Sequence, residues 1–523
     1  MFRKLLLTLV LTIACLSMKG QYENYGLGFK FRFFPYNFYD WKEDVNKDFI
    51  VDTQDVLRIY DAINKADDSS LSADVNLDKI VDTQDVLKVY DFIQTDMNPT
   101  LVAPEETFKV IEEAVRICED ANSLVNSPLH TINMFFPVDN GLLTYIDPVS
   151  MAQSETLIWE FRYDQGVKAI VFKAERQTDG TWLKTDSLYE LPGGYNPNTP
   201  VFNRLESIVR NAIVIEPLQS AKHYYKTIGN EYLYLDGEFG VEGKMMVAGG
   251  AQLDSKEPGK VIKIGDVLNG KVFLVDHAAC SSYKSVSDIL ASHLVENGGD
   301  GEFSKFYELL QASGSVNTIR NNTSSASRNG NLVYVSDYSS DSDKRMIEDF
   351  LNSYQYTMYI PTNEAMDEAF EKGLPTMEML DAAYEVSEDS ARYIQGVMRN
   401  FVKYHIQEQA LFIDQGYETG KYCSMKLNPA TGTLARLTVE KGGSDIFVEG
   451  ISSPKQTVNK AKMYNVIAHE YWLDSRIPSN TNRIKSSSSF VLHAIDHPLL
   501  YNYGTENNQF EKMDWILPIY EAE

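Results

Sequence analysis

A tandem repeat near the N-terminus constrains the fold of this chain more than any other feature. The twenty residues from Asp44 to Ile63 return thirty positions later as Asp74 to Ile93, and fifteen of the twenty positions are identical. Each copy has a polar, acidic stretch followed by an apolar one. This segment must therefore fold as two equivalent units.

The oxygen-bearing side chains of each copy follow one register. With the first Asp as position 1, they occupy positions 1, 3, 5, 9 and 12, and position 7 is an isoleucine that would offer its backbone carbonyl. This is the register of an EF-hand calcium loop, and calcium takes roughly six to eight oxygen ligands. The sequence therefore predicts two Ca²⁺ sites. Their ligands are Asp44, Asn46, Asp48, Ile50, Asp52 and Asp55 in the first loop and Asp74, Asn76, Asp78, Ile80, Asp82 and Asp85 in the second.

An alternative explains part of this pattern without a metal. Asp before an apolar periodic run is also a helix N-cap, so the loops could be solvated caps. That alternative accounts for one Asp per copy, whereas each loop has four carboxylates that repel one another without a cation. The register has two departures. Position 6, which usually needs Gly for a sharp turn, holds Phe49 or Lys79, and position 12 is Asp instead of Glu.

One helix is predicted after each loop, and none before it. Apolar residues recur at helical spacing in both copies, and we place them on one face of each helix. They are Val56, Leu57, Ile59, Tyr60 and Ile63 in the first copy and Val86, Leu87, Val89, Tyr90 and Ile93 in the second. Residues 44–96 are therefore predicted to form a small all-α module.

This duplicated loop and helix resembles the type I dockerin module, with Asp at position 12 and Val51 or Val81 at position 8. The resemblance implies calcium in both loops and a docking partner called cohesin, with loop positions 10 and 11 contributing to partner choice. Those positions are Thr53, Gln54, Thr83 and Gln84. Their identity in the two copies would permit two docking orientations. The alternative is a purely structural calcium module.

The charge of the whole chain limits its partners. The 523 residues carry a formal net charge of −26, and the pI is near 4.8. So acidic a protein is not attracted to nucleic acid or to anionic lipid surfaces. Cations and neutral glycans are the partners that this charge favours.

The first twenty residues have the pattern of an export signal. Arg3 and Lys4 precede an apolar stretch from Leu5 to Ala14 that is too short to span a membrane. We assign residues 1–20 to a signal peptide and expect an exported bacterial protein that is extracellular, periplasmic or on the outer surface. A lipid on Cys15 is the alternative, although Thr12 stands where a lipoprotein would have Leu. Residues 21–43 alternate aromatic with polar side chains and predict one strand.

A second and weaker repeat follows a proline-containing linker at 97–104. Three landmarks recur in the same order: an apolar run that ends in Pro, a helix-like stretch and a β-rich end. They lie at 134–140, 205–211 and 271–277 in the first copy and at 358–363, 394–400 and 490–497 in the second. This recurrence predicts two copies of one domain, at residues 105–285 and 286–503, followed by a tail at 504–523.

The second copy resembles the fasciclin-like domain at residues 358–366, 401–405 and 490–500. That family has a strand ending in Pro-Thr-Asn, a central Tyr-His and a closing strand of the type Val-His-Val-Ile-Asp. The resemblance implies a binding role, with Tyr404 and His405 in a region implicated in adhesion. In the first copy Val138-Asp139 replaces Pro-Thr, and Ile215-Glu216 stands where Tyr-His is expected.

The first copy also has a longer gap between its first two landmarks. Alternating runs at 157–163 and 169–174, with a turn at Asp179-Gly180, predict added hairpins there.

The histidines and cysteines predict no catalytic site. His493 and His497 lie in an extended setting without an evident third metal ligand, and His469-Glu470 lacks the second His of a metalloprotease helix. The remaining cysteines are an odd and widely spaced set, which implies neither a disulfide scaffold nor a zinc site. They are Cys118, Cys280 and Cys423. We therefore expect a protein that is not an enzyme.

Together, these predictions describe an α+β protein in which two fasciclin-like domains follow a small all-α, EF-hand-like calcium module. The function that they favour is a secreted or cell-surface calcium-binding adhesion or interaction protein, with fasciclin-like domains that bind protein or glycan. The competing hypothesis is a non-catalytic, dockerin-bearing subunit of a polysaccharide-degrading surface complex.

Overall fold

The computed structural model contains helices and sheets in one chain, so the protein belongs to the α+β class. The structure describes residues 45, 53–65, 73–76, 78–96, 108–125, 131–148, 150, 156–163, 166–177, 182–192, 199–267, 270–296, 301–313, 355–413, 415, 418–428, 431–474 and 483–501. The predicted signal peptide, the strand at 21–43, the linker at 97–104 and the tail at 504–523 lie outside these residues.

The described residues of the N-terminal module contain two α-helices, and each begins directly after the position-9 Asp of its repeat. They are α1 (Thr53–Lys65) and α2 (Thr83–Asp96). An acidic residue in each first turn, Asp55 or Asp85, suits the positive end of the helix dipole. The module has its own small hydrophobic cluster, which is made of Val45, Val56, Ile59, Ala73, Val75, Val86 and Val89.

The first α+β unit contains four α-helices among its described residues, together with a short 3-10 helix at Asp139–Leu142. The α-helices are α3 (Lys109–Ile117), α4 (Glu119–Val125), α5 (Pro200–Asn211) and α6 (Gly250–Ser255). The start of α5 follows from its sequence. Thr199 caps it by accepting a hydrogen bond from the Phe202 N–H, and Pro200 occupies the first turn, where a missing N–H costs nothing.

Eleven strands lie in the described part of the first unit. They are β1 (Ile132–Pro137), β2 (Tyr145–Ile146), β3 (Leu157–Tyr163), β4 (Val167–Arg176), β5 (Trp182–Pro192), β6 (Ile213–Val214), β7 (Tyr224–Lys226), β8 (Tyr232–Gly237), β9 (Met245–Ala248), β10 (Gly259–Val267) and β11 (Gly270–Val275). Seven of them form a sheet in the order β6-β1-β11-β10-β9-β8-β7, in which β1 and β11 are parallel. A bridge between Val214 and Thr227 brings the two ends of this sheet together.

The other four strands form a separate antiparallel sheet in the order β2-β3-β4-β5. Trp159 and Phe161 of β3 are buried in the same cluster as helices α3 and α5. A buried ion pair fixes this sheet to α5, because Arg204 Nε donates to Asp147 Oδ1 at 2.7 Å. These strands occupy the region where the sequence predicts added hairpins.

The second α+β unit has five α-helices among its described residues. They are α7 (Val286–Glu296), α8 (Ser304–Ala312), α9 (Asn363–Glu371), α10 (Met377–Val386) and α11 (Glu388–Tyr404). Side-chain caps explain three of the helix starts. Thr362, Thr376 and Ser387 each accept a hydrogen bond from a backbone N–H in the first turn of the following helix.

Eight strands in the described part of the second unit form one sheet. They are β12 (Gln355–Pro361), β13 (Ile406–Glu408), β14 (Gly420–Asn428), β15 (Thr433–Gly442), β16 (Asp445–Glu449), β17 (Gln456–Thr457), β18 (Val466–Asp474) and β19 (Arg483–Ile495). Their order is β17-β16-β15-β14-β13-β12-β19-β18. Strands β12 and β19 are parallel, with Gln355 opposite Ser489 and Pro361 opposite Ile495.

The two units share a four-stranded centre. The order β6-β1-β11-β10 of the first unit matches β13-β12-β19-β18 of the second, and in both the central pair is parallel while its outer neighbours are antiparallel. The three sequence landmarks lie on β1, α5 and β11 in one unit and on β12, α11 and β19 in the other. The weak repeat in the sequence thus corresponds to a repeat in topology.

One close backbone approach also recurs in both units. A Cβ added to Gly249, after β9, would lie 2.0 Å from the Cys280 carbonyl oxygen, and one added to Gly450, after β16, would lie 2.8 Å from that of Leu500. Glycine is required at both positions because any side chain would collide with backbone.

The two units contact each other through aromatic rings and hydrogen bonds. Tyr224 of β7 stacks on Phe412 of the second unit with ring centroids 3.9 Å apart. Asn203 of α5 makes two hydrogen bonds with Ile484 of β19, from Nδ2 to the carbonyl at 3.0 Å and from the Ile484 N–H to Oδ1 at 2.8 Å. Gln415 Nε2 donates to the Tyr224 carbonyl at 2.6 Å.

Among the helices that the structure describes, none combines the length and apolar character required to cross a bilayer.

Candidate functional site

The second acidic loop is held together by Asp85 at its position 12. This side chain is fully buried, and Oδ1 accepts hydrogen bonds from the Val75 N–H at 2.8 Å and the Asn76 N–H at 3.0 Å. Oδ2 accepts from the Asp82 N–H at 2.9 Å. Because these donors stand at positions 2, 3 and 9, one carboxylate joins both ends of the loop to the first turn of α2.

Positions 1, 3 and 5 of this loop lie beside one another. The Asp74 carboxylate accepts from the Asp78 N–H at 3.1 Å and the Lys79 N–H at 2.9 Å. Asn76 Oδ1 also accepts from the Asp78 N–H, at 2.9 Å, and Asn76 Nδ2 donates to Asp78 Oδ2 at 3.1 Å. The three oxygen-bearing side chains that open the register are therefore neighbours in space.

Lys79 at position 6 has a φ of +72°, in the left-handed region. The sequence departs from the EF-hand pattern here because it has Lys instead of Gly, and the backbone nevertheless makes the turn that Gly would favour. An L side chain in this region costs roughly 1–2 kcal/mol. Lys79 therefore stores strain at the sharpest point of the loop.

Only part of the first loop lies within the described residues. Asp44, Asn46, Asp48, Ile50 and Asp52 lie outside them. Asp55 at position 12 is fully buried, and its Oδ1 accepts from the Val45 N–H at 2.8 Å, which is the contact that Asp85 makes with Val75. The two copies therefore share this contact, as their sequence identity predicts.

The donors of the second loop fit calcium in kind and in order, since they are carboxylate, amide and carbonyl oxygens at the EF-hand positions. Their convergence is incomplete. Within the described residues, the group of three acidic or thiol side chains whose ligand atoms all lie within 4.8 Å of one another is Cys118, Asp120 and Glu206, outside this loop. The loop carboxylates instead accept backbone N–H groups.

The Cys118 group is explained by contacts within the protein. Cys118 Sγ donates to Asp120 Oδ1 at 3.0 Å, and Arg210 lies 3.3 Å from Asp120 and 3.7 Å from Glu206. Burial, followed by the hydrogen bond to Asp120, raises the pKa of the Cys118 thiol to about 12. The thiol therefore keeps its proton, and Arg210 already contacts both carboxylates.

The helices of the module have two apolar faces instead of the single face that the sequence predicts. Val56 and Val86 are buried, but Leu57 and Leu87 are 60% and 55% exposed, and Tyr60 and Tyr90 are 44% and 47% exposed. The five apolar positions of each helix span an arc of about 160° at 100° per residue, and the small module core covers only part of it. The unusual width of this arc was the sequence signal for a second face.

The residues predicted to choose a partner lie at the start of these helices. Gln54, Thr83 and Gln84 are exposed. The side chain of Thr53 is not among those that the structure describes. The Gln84 N–H donates to Asp82 Oδ1 at 2.7 Å, which links these positions to the acidic loop. Their exposure is compatible with contact to a partner, which stays a prediction.

Tyr404 and His405 are both fully buried at the end of α11. Tyr404 OH donates to the Arg436 carbonyl at 3.2 Å and accepts from the Ile451 N–H at 2.9 Å. His405 Nε2 accepts from the Leu499 N–H at 3.1 Å, so the proton is on Nδ1, which donates to the Phe401 carbonyl at 2.8 Å. Burial lowers the pKa of His405 to about 4. A partner cannot reach either side chain in this fold, so their predicted role in partner binding finds no support.

The position that matches Tyr-His in the first unit differs from the one chosen from the sequence. The Phe135 N–H donates to the Ala212 carbonyl at 2.7 Å, just as the Tyr359 N–H of the equivalent strand donates to the His405 carbonyl at 2.9 Å. Asn211 and Ala212 therefore replace Tyr-His, and the assignment of Ile215-Glu216 is wrong. Without either landmark residue, the sequence could not fix where the helix ends.

His493 and His497 do not form a metal pair, because each has its own partners. His493 is buried, its Nε2 donates to the Leu411 carbonyl at 2.8 Å and its Nδ1 accepts from the Asn465 N–H at 3.4 Å. His497 Nδ1 contacts Glu368 Oε2 at 2.8 Å.

Comparison with known proteins gives similarity in structure and none in sequence. No protein-family model matches the chain, and no curated protein sequence matches it. Among solved structures, the chain is similar to a FAS1 domain pair from the insect cell adhesion molecule fasciclin I, with 13% sequence identity and a TM-score of 0.23. The similarity covers 75% of this chain and 96% of that chain.

Proposed function

We propose that this protein is an exported, calcium-binding interaction protein and not an enzyme. Calcium organises its N-terminal module, and the module and the two α+β units bind protein or glycan at the cell surface. The observation that carries the proposal is the second loop, in which Asp74, Asn76 and Asp78 lie together and Asp85 closes the loop. Export is inferred from the N-terminal sequence pattern alone.

Calcium would be held by the same six positions in each loop. In the second loop these are Asp74, Asn76, Asp78, Ile80 through its carbonyl, Asp82 and Asp85, and in the first loop Asp44, Asn46, Asp48, Ile50, Asp52 and Asp55. A divalent cation offsets the repulsion of four carboxylates in one loop. We therefore expect the ion to draw these oxygens together and to stabilise the packing of α1 on α2.

Calcium titration of the full chain by calorimetry tests this proposal. The wild-type protein should bind two ions per chain, and the double variant Asp44→Ala, Asp74→Ala should lose both sites. At free calcium of about a hundred times the dissociation constant, each site adds roughly 2.7 kcal/mol to the free energy of unfolding of the module. Thermal unfolding with calcium and with chelator measures that gain.

A matched variant separates ligation from general charge. Asp61→Ala removes one carboxylate from α1 outside the loop positions and should keep both sites. Absence of binding heat in the wild-type protein, or the same two sites in the double variant, would mean that the loop aspartates serve only as hydrogen-bond acceptors for the backbone.

The exposed face of the module favours a second candidate function. Leu57 and Tyr60 on α1 recur as Leu87 and Tyr90 on α2, so the module presents the same apolar pair twice, next to Gln54 and Gln84. Repeated exposed aromatic residues are typical of a protein-binding face. This face would recruit the chain as a non-catalytic, dockerin-like subunit of a polysaccharide-degrading complex.

Pull-downs from the cell envelope distinguish the two candidates. Recruitment predicts that a cohesin-like protein or glycoside hydrolases are recovered with calcium and are lost from the variant Tyr60→Ala, Tyr90→Ala. Adhesion through the α+β units predicts that envelope proteins or glycans still bind this variant. The variant Leu183→Ala, Leu188→Ala removes two exposed side chains of β5 and is the control for loss of apolar surface.

A further inference from the structure

A polar cluster lies buried between the two α+β units. Glu231 precedes β8 in the first unit, His469 lies on β18 and Ser489 on β19 of the second, and each is at most 4% exposed. Ser489 Oγ donates to Glu231 Oε2 at 2.6 Å, and His469 Nδ1 contacts Glu231 Oε1 directly. The carboxylate of one unit is thus held by two side chains of the other.

Aromatic residues and backbone contacts enclose this cluster. Tyr232, next to Glu231, meets Phe412 edge to face at 4.7 Å, and Phe412 also stacks on Tyr224. The His469 N–H donates to the Lys284 carbonyl at 2.9 Å. Because these groups exclude water, a net charge in the cluster would be costly.

The other ionisable groups around the pair have partners of their own. Glu470, next to His469, accepts the Val286 N–H on Oε1 at 3.1 Å. Tyr232 OH donates to Gln355 Oε1 at 3.1 Å, and Lys284 Nζ bonds to Asp254. Ser281, like Ser489, lowers the pKa of the Glu231 carboxyl and so opposes the effect of burial.

Burial acts in opposite directions on the two members of the pair. It raises the pKa of Glu231 from an ordinary 4.5 to about 8, and it lowers the pKa of His469 from 6.5 to about 3. Between these limits the pair holds one titratable proton and has no net charge, whichever of the two atoms carries that proton.

We propose that the two α+β units are latched by one proton shared between Glu231 and His469, so that gain or loss of a proton loosens the contact between the units. A gained proton leaves a buried imidazolium, and a lost proton leaves a buried carboxylate. Opening of the contact exposes either charge to water.

The pH dependence follows from the proton count in the closed and open states. The closed pair holds one proton from about pH 3 to 8, whereas in the open state Glu231 titrates near 4.5 and His469 near 6.5. From pH 3 to 4.5 the open state holds one more proton, so the latch strengthens as pH rises. From 4.5 to 6.5 the counts are equal, and the latch is strongest. From 6.5 to 8 the open state holds one fewer, so the latch weakens as pH rises.

Hydrogen exchange of the full chain tests this latch at the His469 amide, after correction for intrinsic exchange at each pH. Wild-type protection should be constant from pH 4.5 to 6.5 and should fall about tenfold per pH unit from 6.5 to 8, the equivalent of about 1.4 kcal/mol per unit. Glu231→Gln removes the acid, so its protection should rise up to pH 6.5 and stay constant above it. His469→Gln should instead lose protection throughout pH 4.5 to 8.

Tyr232→Phe is the matched control, because it removes an interface hydrogen bond and leaves Glu231 and His469, the groups that titrate, unchanged. It should lower protection equally at every pH and keep the wild-type profile. The latch would be overturned if wild-type protection stays constant from pH 6.5 to 8. It would also be overturned if Glu231→Gln keeps the wild-type dependence of protection on pH. If Glu231→Gln does not fold, His469→Gln provides a second test. Constant amide protection between pH 4.5 and 6.5 in His469→Gln would also overturn the latch.

Discussion

At the scale of single residues, Lys79 shows how a loop tolerates the wrong residue at its sharpest turn. Its φ of +72° is the conformation that an EF-hand loop requires at position 6, and a lysine Cβ opposes it. The rest of the loop over-determines this conformation, since the Lys79 N–H is held by Asp74 and the Ile80 N–H by Asp78. These hydrogen bonds hold the Lys79 backbone in its strained conformation.

Lys79→Gly should stabilise the module, because glycine adopts this conformation without a steric penalty. We expect a gain of about 1 kcal/mol in the free energy of unfolding. The calcium affinity of the folded module should stay the same, because the substitution removes the same strain from its calcium-free and calcium-bound states. Urea unfolding followed by helical circular dichroism, with and without calcium, measures both effects.

Lys79→Ala provides the comparison for this change. It removes the same charge but keeps a Cβ in the left-handed region, so it should leave the strain in place. An alanine variant as stable as the glycine variant would assign the effect to charge and would contradict the strain argument.

The sequence predicted the order of the residues in the acidic loop, but it did not predict which candidate site residues of the second α+β unit are buried. Spacing placed Asp85 at position 12, because ligand register is a property of the local chain. It did not show that Tyr404 and His405 are buried, since their environment is built by Arg436, Ile451 and Leu499, which are distant in the chain. A resemblance between short motifs identifies a region of a fold without telling which side chains reach its surface.

At the scale of elements, the turn after the central parallel strand keeps its role although its sequence changes. Asp139 after β1 accepts the Lys109 and Val110 N–H groups at 3.1 and 2.9 Å, at the start of α3. Asn363 after β12 accepts the Lys305 N–H at 3.1 Å, at the start of α8. The N-cap residues of these two helices are Phe108 and Phe303, whose side chains have no oxygen that could accept a hydrogen bond. Asp139 and Asn363 therefore cap the helices in their place.

Pro137 and Pro361 end equivalent strands, so Val138-Asp139 matches Thr362-Asn363, and its assignment to Pro-Thr is wrong. The first copy thus departs from the fasciclin-like pattern without loss of the turn. What the turn needs is a short side chain with an oxygen that reaches the helix start, and both Asp and Asn have one. The strands themselves were predictable from apolar runs. The four-residue error in the match to Tyr-His arose because a helix end is set by hydrogen bonds with β1, which spacing does not reveal.

At the scale of the whole molecule, the contact between the α+β units was beyond the reach of sequence reasoning. Glu231 and Ser489 are 258 positions apart, and neither lies in a recognisable motif. Each unit has a large core of its own, while Phe412, Ile467 and Val491 form a separate small cluster with residues of the first unit. The protein is thus two units whose association depends on a few buried groups, and single substitutions should uncouple them.

Phe412→Ala should lower the stability of the first unit although the substitution lies in the second. It removes the ring that stacks on Tyr224 and meets Tyr232, and loss of a buried Phe typically costs about 3–5 kcal/mol. Exchange of β7 and β8 amides at pH 5.5 should accelerate about tenfold for each 1.4 kcal/mol that reaches this unit. Phe306→Ala, in the second core, is the control, because its loss should speed exchange mainly within the second unit. If β7 and β8 exchange at the wild-type rate in Phe412→Ala, the units fold independently and the interface adds nothing to their stability.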